Sequence, residues 1–119
     1  ATAPFVCGFK PQIAYFAAER AEGQLEDLCA YIRETYPHLP IMLDAKRGDI
    51  GNTSTYYAKT FFETLQADAV TVAPYMGSDS VLPFTQFEGK WLVLLALTSN
   101  EGAKDFQLQK GEHKSFSLS

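Results

Sequence analysis

Residues 41–53 read Ile-Met-Leu-Asp-Ala-Lys-Arg-Gly-Asp-Ile-Gly-Asn-Thr, an apolar run that leads into closely spaced charges. The run Ile41 to Asp44 predicts a short buried strand, and charges directly after such a strand indicate a ligand site at its carboxyl end. Strand side chains alternate between two faces, so Asp44 and Lys46 are expected on one face and in contact. Asp49 follows three residues beyond Lys46, available to the same site or to a neighbouring subunit.

The rest of the chain alternates short apolar runs with amphipathic stretches, which is typical of repeated βα units. Besides Ile41 to Asp44, the predicted strands are Phe5 to Phe9, Ala69 to Ala73 and Trp91 to Leu97. Parallel strands joined by helices form an open sheet or a barrel, and periodicity does not choose between them. In both architectures, ligands gather at the carboxyl ends of the strands.

Three helices are predicted from apolar residues at three- and four-residue steps. The first, from Gln24 to Tyr36, has a stripe made of Leu25, Leu28, Cys29, Ile32 and Tyr36. The second is capped in the region Asn52 to Ser54 and carries Tyr57, Phe61, Phe62 and Leu65. The third begins near Ser78 to Ser80, with inward-facing Leu82, Phe84 and Phe87.

Lys10 follows the first predicted strand, which is expected to neighbour the strand that carries Asp44. Lys10, Asp44, Lys46 and Asp49 would then form an array in which positive and negative charges alternate. Two carboxylates beside Lys46 would favour its charged form, as suits a proton donor rather than a Schiff-base nucleophile. The simpler alternative is an ordinary ion pair on a solvated loop.

The amino-acid composition and net charge limit the classes of protein to which the chain can belong. The 119 residues are 46% hydrophobic and 20% charged, which suits one small domain. The net charge of −4 argues against a general nucleic-acid or membrane-surface binder, and no apolar run is long enough to span a bilayer. Cys7 and Cys29 lie in apolar stretches and are predicted to be buried free thiols of a cytoplasmic protein. His38 and His113 are predicted to be surface residues.

A family resemblance emerges from the charged pattern and its surroundings. The residues that carry it are Lys10, Asp44, Lys46, Asp49, Ile50 and Thr53. Together they resemble the orotidine 5'-phosphate decarboxylase family. Residues 8–12 (Gly-Phe-Lys-Pro-Gln), 43–53 and 72–80 (Val-Ala-Pro-Tyr-Met-Gly-Ser-Asp-Ser) are similar to its bacterial-type branch, whose motif reads Asp-Ala-Lys-Arg-Gly-Asp-Ile. The resemblance covers residues 4–107.

The resemblance implies an α/β fold, a (β/α)8 TIM barrel, of which this chain supplies about four βα units with parallel strands. It also implies decarboxylation of orotidine 5'-phosphate to UMP in de novo pyrimidine biosynthesis, without a metal or an organic cofactor. The family's proton donor corresponds to Lys46. Asp44 would lie against the departing carboxylate, and Lys10 would bridge the charges and the ribose.

The resemblance further implies a homodimer with shared active sites, with no nucleic-acid or membrane partner. Asp49 and Thr53 would reach into the partner subunit's site, and Ile50 is placed with the substrate-binding residues. Thr98, or the adjacent Ser99, matches a polar residue that reads the pyrimidine edge in the family.

Length sets a limit on this expectation, because an eight-stranded barrel typically takes about 250 residues. Residues 1–107 are therefore expected to form a partial decarboxylase barrel, and residues 108–119 a poorly ordered polar tail. The family's phosphate-binding loops and the aspartate of its first strand have no counterpart here. The chain is expected to be a fragment or truncated version that turns over poorly or not at all alone, and that self-associates.

Two alternatives stay open. Metal-dependent relatives use the same strand pattern for magnesium-dependent sugar-phosphate lyase chemistry through an enediolate. They are expected to carry an acidic metal ligand on the preceding strand end, where this sequence has Lys10. The second alternative is a non-catalytic assembly module that retains the barrel motif.

Overall fold

The computed structural model describes residues 2–109, in which short strands alternate with helices. The strands are β1 (Met42–Arg47), β2 (Ala69–Val72) and β3 (Trp91–Leu94). The α-helices are α1 (Ile13–Ala18), α2 (Glu22–Thr35), α3 (Gly51–Lys59), α4 (Ser78–Val81) and α5 (Ala103–Phe106). A π-helical turn, Thr60–Thr64, prolongs α3, and 3-10 helices span Ala3–Phe5 and Leu82–Gln86.

The three strands form one parallel sheet in the order β1-β2-β3. Residues 9–12 continue the sheet beyond β1 through two isolated parallel bridges, Phe9 with Ile41 and Gln12 with Asp44. Residues 9–12, β1 and β2 are each followed by a helix before the chain returns to the sheet, and β3 is followed by α5. The predicted α/β class, with about four parallel βα units, is therefore confirmed.

The first predicted strand, Phe5 to Phe9, is wrong in its position. Ala3–Phe5 form a 3-10 helix with Pro4 in its first turn, because the fixed φ of proline and its missing N–H suit a helix start. Pairing with the sheet begins only at Phe9, whose N–H donates to Pro40 O at 2.9 Å. The end of the last strand is also earlier than predicted, since β3 stops at Leu94 rather than Leu97.

β1 extends to Arg47, so Lys46 lies within the strand rather than after it, whereas Asp49 follows the strand. From Leu43 to Arg47, β1 advances four residues while β2 advances only two, from Val70 to Val72. The extra residues form an irregular, bulged stretch of β1. Lys46 adopts a positive φ of 49° at this point. A bulge of this kind re-aims side chains relative to regular strand alternation.

The core lies between the sheet and the helices α2 and α3. Its largest fully buried side chains include Leu25, Ile41, Leu43, Val70, Val72 and Phe84. Phe61 stacks on Phe84 with ring centroids 6.5 Å apart, and Phe62 packs on Phe87 at 5.3 Å. Each fully buried side chain of this kind contributes about 1.5–3 kcal/mol to folding. This core holds β1 and β2 in place beneath the candidate site.

The predicted helical stripes are confirmed with two exceptions. Leu25, Cys29 and Ile32 of α2 are buried, but Leu28 is exposed. In the third helix Phe84 is fully buried, whereas Leu82 is exposed. The reason is that Leu82–Gln86 is a 3-10 helix, in which residues three apart share a face. Phe84 lies on the face toward the core, and the flanking residues Val81 and Phe87, three residues before and after it, pack against the same core.

Several smaller expectations are also settled in this part of the chain. Helix α3 begins at Gly51, so the predicted cap Asn52–Ser54 lies in its first turn. Cys29 is buried as predicted, but Cys7 is exposed because its segment precedes the sheet pairing at Phe9.

Helices α1 and α5 were not predicted from the sequence. His38 is exposed, as predicted. Most of the predicted tail, together with His113, lies outside the described residues. Among the helices of the described part, none is both long and apolar enough to cross a membrane.

Candidate active site

Asp44 is the centre of a group of three charged side chains on β1 and the adjoining segment. Lys10 Nζ donates to Asp44 Oδ2 at 3.3 Å, and Lys46 Nζ donates to Asp44 Oδ1. Asp44 is only 8% exposed, whereas the side chains of Lys10 and Lys46 are 56% and 48% exposed. Two ammonium groups and one carboxylate leave one net positive charge, open to solvent on the lysine side. We call these three residues the charged triad.

The environment of Asp44 favours its ionised form. The hydrogen bond from Lys46 is the main reason that the pKa of this carboxyl lies below its usual value, and burial opposes the effect. Hydrogen bonds from Thr71 and Lys10 add to the lowering. A buried carboxylate is stable in this form because donors on both oxygens replace the water it has lost.

Thr71 of β2 lies opposite the bulge of β1 and was not singled out from the sequence. Its hydroxyl donates to Asp44 Oδ1 at 3.0 Å and accepts the N–H groups of Ala45 and Lys46, each at 3.0 Å. The signal in the sequence was one hydroxyl residue in the apolar strand Ala69–Val72. Its importance depends on the register between two strands, which no local pattern specifies.

Asp49 does not join the charged triad in the described residues, although the sequence predicted an array of four charges. Its Oδ1 accepts the N–H of Ile50 at 2.7 Å, and its own N–H donates to Ser54 Oγ at 3.1 Å. The Ser54 hydroxyl lies 2.6 Å from Asp49 O and 2.9 Å from Ser80 O. These contacts hold the backbone of Asp49 against the first turn of α3, and among residues 2–109 no ion pair joins Asp49 to Lys46.

The remaining predicted residues lie at two places along the carboxyl edge of the sheet. Ile50 and Thr53 are exposed at the start of α3. Thr98 follows β3, where its hydroxyl donates to Asn100 Oδ1 at 2.6 Å and accepts from Gln107 Nε2 at 2.8 Å. Gln107 Oε1 also accepts the N–H of Thr98 at 2.6 Å. Ser99 is exposed beside it.

An open cavity of about 730 Å³ lies beyond the ends of β2 and β3. It has the size of a small-molecule site. Its lining residues are Ala73, Pro74, Tyr75, Leu95, Ala96, Thr98, Phe106 and Gln107. Thr98 therefore lines an apolar cavity at the ends of β2 and β3. The charged triad lies on β1 and the adjoining segment, and it does not line this cavity.

The acidic side chains of the site do not gather into a metal-binding cluster in the described part of the chain. Within residues 2–109, no three His, Cys, Asp or Glu side chains converge in a way that could hold a metal ion. The acidic residues Asp44 and Asp49 make separate contacts, the first with lysines and the second with backbone.

Parallel strands joined by helices, with polar residues at their carboxyl ends, define an α/β protein of the class that includes barrels and open sheets, in which ligands bind at this edge. The chain belongs to the orotidine 5'-phosphate decarboxylase / HUMPS family, which it matches over residues 1–116. The match extends beyond residues 4–107, the span suggested by the motifs. It confirms the family that the residues around Lys46 indicated.

Curated relatives and solved structures agree with this assignment. The chain is 62% identical over 107 residues to orotidine 5'-phosphate decarboxylase of Bordetella avium, covering 90% of this chain and 39% of that protein. It is 61% identical to the protein of the same name from Ralstonia nicotianae, with shares of 90% and 40%. The structure of Leishmania donovani OMP decarboxylase superposes with a TM-score of 0.83 at 40% identity, covering 92% of this chain and 44% of that one. The partial barrel is therefore confirmed, and the chain spans about two fifths of the length of these curated relatives.

Proposed function

We propose that the complete barrel to which this chain contributes converts orotidine 5'-phosphate to UMP and carbon dioxide, without a metal or an organic cofactor. The observation that carries the proposal is the charged triad, in which Asp44 holds the ammonium of Lys46 at the carboxyl edge of the sheet. The relatives from Bordetella avium and Ralstonia nicotianae are orotidine 5'-phosphate decarboxylases, which supports the choice of substrate.

The chemistry requires a proton at the carbon that loses the carboxylate. When the bond from C6 to the carboxylate breaks, its electron pair stays on C6 in an in-plane orbital that the ring cannot delocalise. A fixed ammonium beside C6 stabilises that developing charge, and preorganised charge is usually the largest catalytic contribution. Lys46 then transfers a proton from Nζ to C6 and regains one from solvent, to which it is exposed.

Asp44 and Lys10 position Lys46 in this proposal. Asp44 orients the ammonium of Lys46 and lies against the departing carboxylate. Lys10 holds the second oxygen of Asp44 and is exposed enough to reach the ribose. The net positive charge of the triad favours an anionic substrate in a chain whose overall charge is −4.

A second copy of the protein completes the site in our proposal. Asp49, Ile50 and Thr53 lie together at the start of α3, with Ile50 and Thr53 exposed. Asp49 would reach into the partner's site, where its charge would balance the net positive charge of the triad, and Thr53 would follow it. Ile50 would contact the substrate. A homodimer in the cytoplasm is therefore part of the proposal, and the unpaired thiols of Cys7 and Cys29 suit a reducing compartment.

Thr98 is proposed to read the pyrimidine edge from the cavity beyond β3, with Ser99 as the adjacent candidate. The side chain of Gln107 supports Thr98 from both its hydroxyl and its backbone N–H. Residues 1–107 would supply this part of the barrel, and residues 108–119 would form a polar tail.

The test uses a completed barrel, in which the 107-residue matching segment of this chain replaces its counterpart in the Bordetella avium protein. The loss of orotidine 5'-phosphate and formation of UMP are followed with and without EDTA. Turnover that EDTA does not change is expected. Turnover of a sugar phosphate only with magnesium would support the metal-dependent alternative, and a folded but inactive barrel would support an assembly module.

The position of Lys10 favours turnover of orotidine 5'-phosphate without a metal ion. Its ammonium lies 3.3 Å from Asp44 Oδ2, so both oxygens of that carboxylate are already occupied by cationic donors. A magnesium ion would have to displace one of these lysines from Asp44, and two nearby ammonium groups would oppose its binding.

A further inference from the structure

The hydroxyl of Thr71 lies where β1 leaves regular pairing with β2. Between the paired residues Leu43 and Arg47, three residues of β1 lie opposite a single residue of β2, Thr71, so β1 has two extra residues in this stretch. Thr71 Oγ1 accepts the N–H groups of Ala45 and Lys46 in this stretch, both at 3.0 Å. A side chain of β2 thus provides the acceptor for two backbone donors of the bulge.

All the hydrogen-bonding positions of this hydroxyl are in use. A threonine hydroxyl has one proton to donate and two lone pairs to accept with. The lone pairs receive the two N–H groups, and the proton is donated to Asp44 Oδ1 at 3.0 Å. Because Thr71 is buried, water does not compete for these positions. Rotation of the hydroxyl would break at least one of the three bonds.

The same contacts hold Lys46 in an uncommon backbone conformation. Its φ of 49° lies in the left-handed region, which residues with a Cβ seldom occupy unless their surroundings impose it. Lys46 is fixed at both ends: its backbone N–H donates to Thr71 Oγ1, and its ammonium donates to Asp44 Oδ1. The direction of the Lys46 side chain therefore depends on the hydroxyl of Thr71.

We propose that Thr71 is a positioning residue, whose hydroxyl holds the bulge of β1 so that Asp44 and Lys46 face one reacting centre. The proposal rests on the proposed decarboxylase function. Thr71 itself takes no proton from the substrate and acts only through the two residues that it holds.

The test compares Thr71→Val with Thr71→Ser in the completed barrel. Valine keeps the shape of threonine but removes the hydroxyl, and serine restores it. With Thr71→Val, kcat per folded site should fall about 10- to 100-fold with little change in KM, since small misplacement of a reacting group has effects of this size. Thr71→Ser should stay within about threefold of the unsubstituted protein, because the positioning hydroxyl is present.

A pH profile separates positioning from a general loss of structure. The Thr71 hydrogen bond favours the ionised form of Asp44 and lowers the pKa of its carboxyl. Thr71→Val should therefore move the acidic limb of the kcat profile to higher pH. Thr60→Val is the matched control, because the exposed Thr60 hydroxyl, at the start of the π-helical turn, donates to Tyr56 O at 3.1 Å and makes no other hydrogen bond among residues 2–109. It should change neither kcat nor the profile.

The outcomes distinguish this inference from the proposed function. If Lys46→Ala abolishes turnover but Thr71→Val leaves kcat and the pH profile unchanged, Thr71 is not a positioning residue although the decarboxylase assignment stands. A loss with Thr71→Val that Thr71→Ser does not restore would equally overturn the role of the hydroxyl. If the unsubstituted, folded barrel has no turnover, the proposed function itself fails.

Discussion

The carboxylate of Asp44 shows how single residues make this site possible. It is nearly inaccessible to solvent, yet it accepts hydrogen bonds from Lys10, Lys46 and Thr71. Without such donors, burial would raise the pKa of this carboxyl and disfavour the anion that orients Lys46. The hydrogen bonds that keep Asp44 ionised therefore also contribute to the free energy of folding.

Stability of the 119-residue chain should depend on pH through Asp44. The pKa of this carboxyl is lowered in the folded chain, so its contribution is fully present above the unfolded pKa of about 3.9. It is lost as the pH falls through the folded pKa, when protonation breaks the triad. Urea unfolding between pH 7 and pH 3 should show a steeper loss for the unsubstituted chain than for Asp44→Asn. Asp27→Asn, on the exposed face of α2, is the control and should leave the slope unchanged.

The residue-scale predictions from sequence succeeded where contacts are local. Asp44 and Lys46 are two residues apart, so their contact followed from the strand that carries them. The contact with Lys10 required only that neighbouring segments run parallel. Thr71 was missed because its partners are 25 to 27 residues away, and a bulge rather than regular alternation aligns them.

At the scale of elements, the turn between β1 and α3 depends on a close approach of two backbones. A Cβ placed on Gly48 would lie 2.3 Å from the carbonyl oxygen of Ala73, just beyond β2. Only a glycine fits there without displacing one of the two segments. Because Asp44 and Lys46 precede this turn, its geometry also affects the triad.

Gly48→Ala should destabilise the chain by about 1–3 kcal/mol, the usual effect of overpacking a tight contact. The matched control is Gly23→Ala in α2, where a new Cβ meets nothing within 4 Å. There alanine should stabilise the helix by up to about 1 kcal/mol. Urea midpoints that shift in opposite directions would agree with this account. Equal midpoints for Gly48→Ala and the unsubstituted chain would contradict it.

The elements themselves were predictable to different degrees. The positions of β2, α2 and α3 agree closely with prediction, because β2 is a distinct apolar run and both helices have clear apolar periodicity. The first strand was misplaced because its apolar residues Phe5 and Val6 resemble strand residues, although Pro4 begins a 3-10 helix there. The exposure of Leu82 could not be predicted from an α-helical period, because the local period is that of a 3-10 helix.

At the scale of the whole molecule, β3 is an open edge of the sheet in the described part of the chain, opposite the edge formed by residues 9–12. It pairs with β2 on one side only, and Trp91, Val93 and Leu94 are exposed. An apolar strand with unpaired backbone groups is a template for pairing with another chain. In a closed barrel, the next strand would cover this edge.

The 119-residue chain alone should therefore self-associate through β3. Val93→Lys should shift its sedimentation toward the monomer, because a charged side chain on an edge strand disfavours pairing. Leu28→Lys is the matched control, since Leu28 and Val93 are 39% and 41% exposed but Leu28 lies on α2. Equal effects of both substitutions would indicate general apolar association and contradict a specific role for β3.

The central claim is that Lys46 supplies the proton to C6. It is tested most directly by measuring UMP formation in the completed barrel with Lys46→Ala and with Lys59→Ala, an exposed lysine at the end of α3. Lys46→Ala should lower kcat by about 10³-fold or more in a folded protein, as expected for loss of a general acid together with a preorganised charge. Lys59→Ala should leave turnover unchanged. Turnover by Lys46→Ala at the unsubstituted rate would contradict the assignment of Lys46.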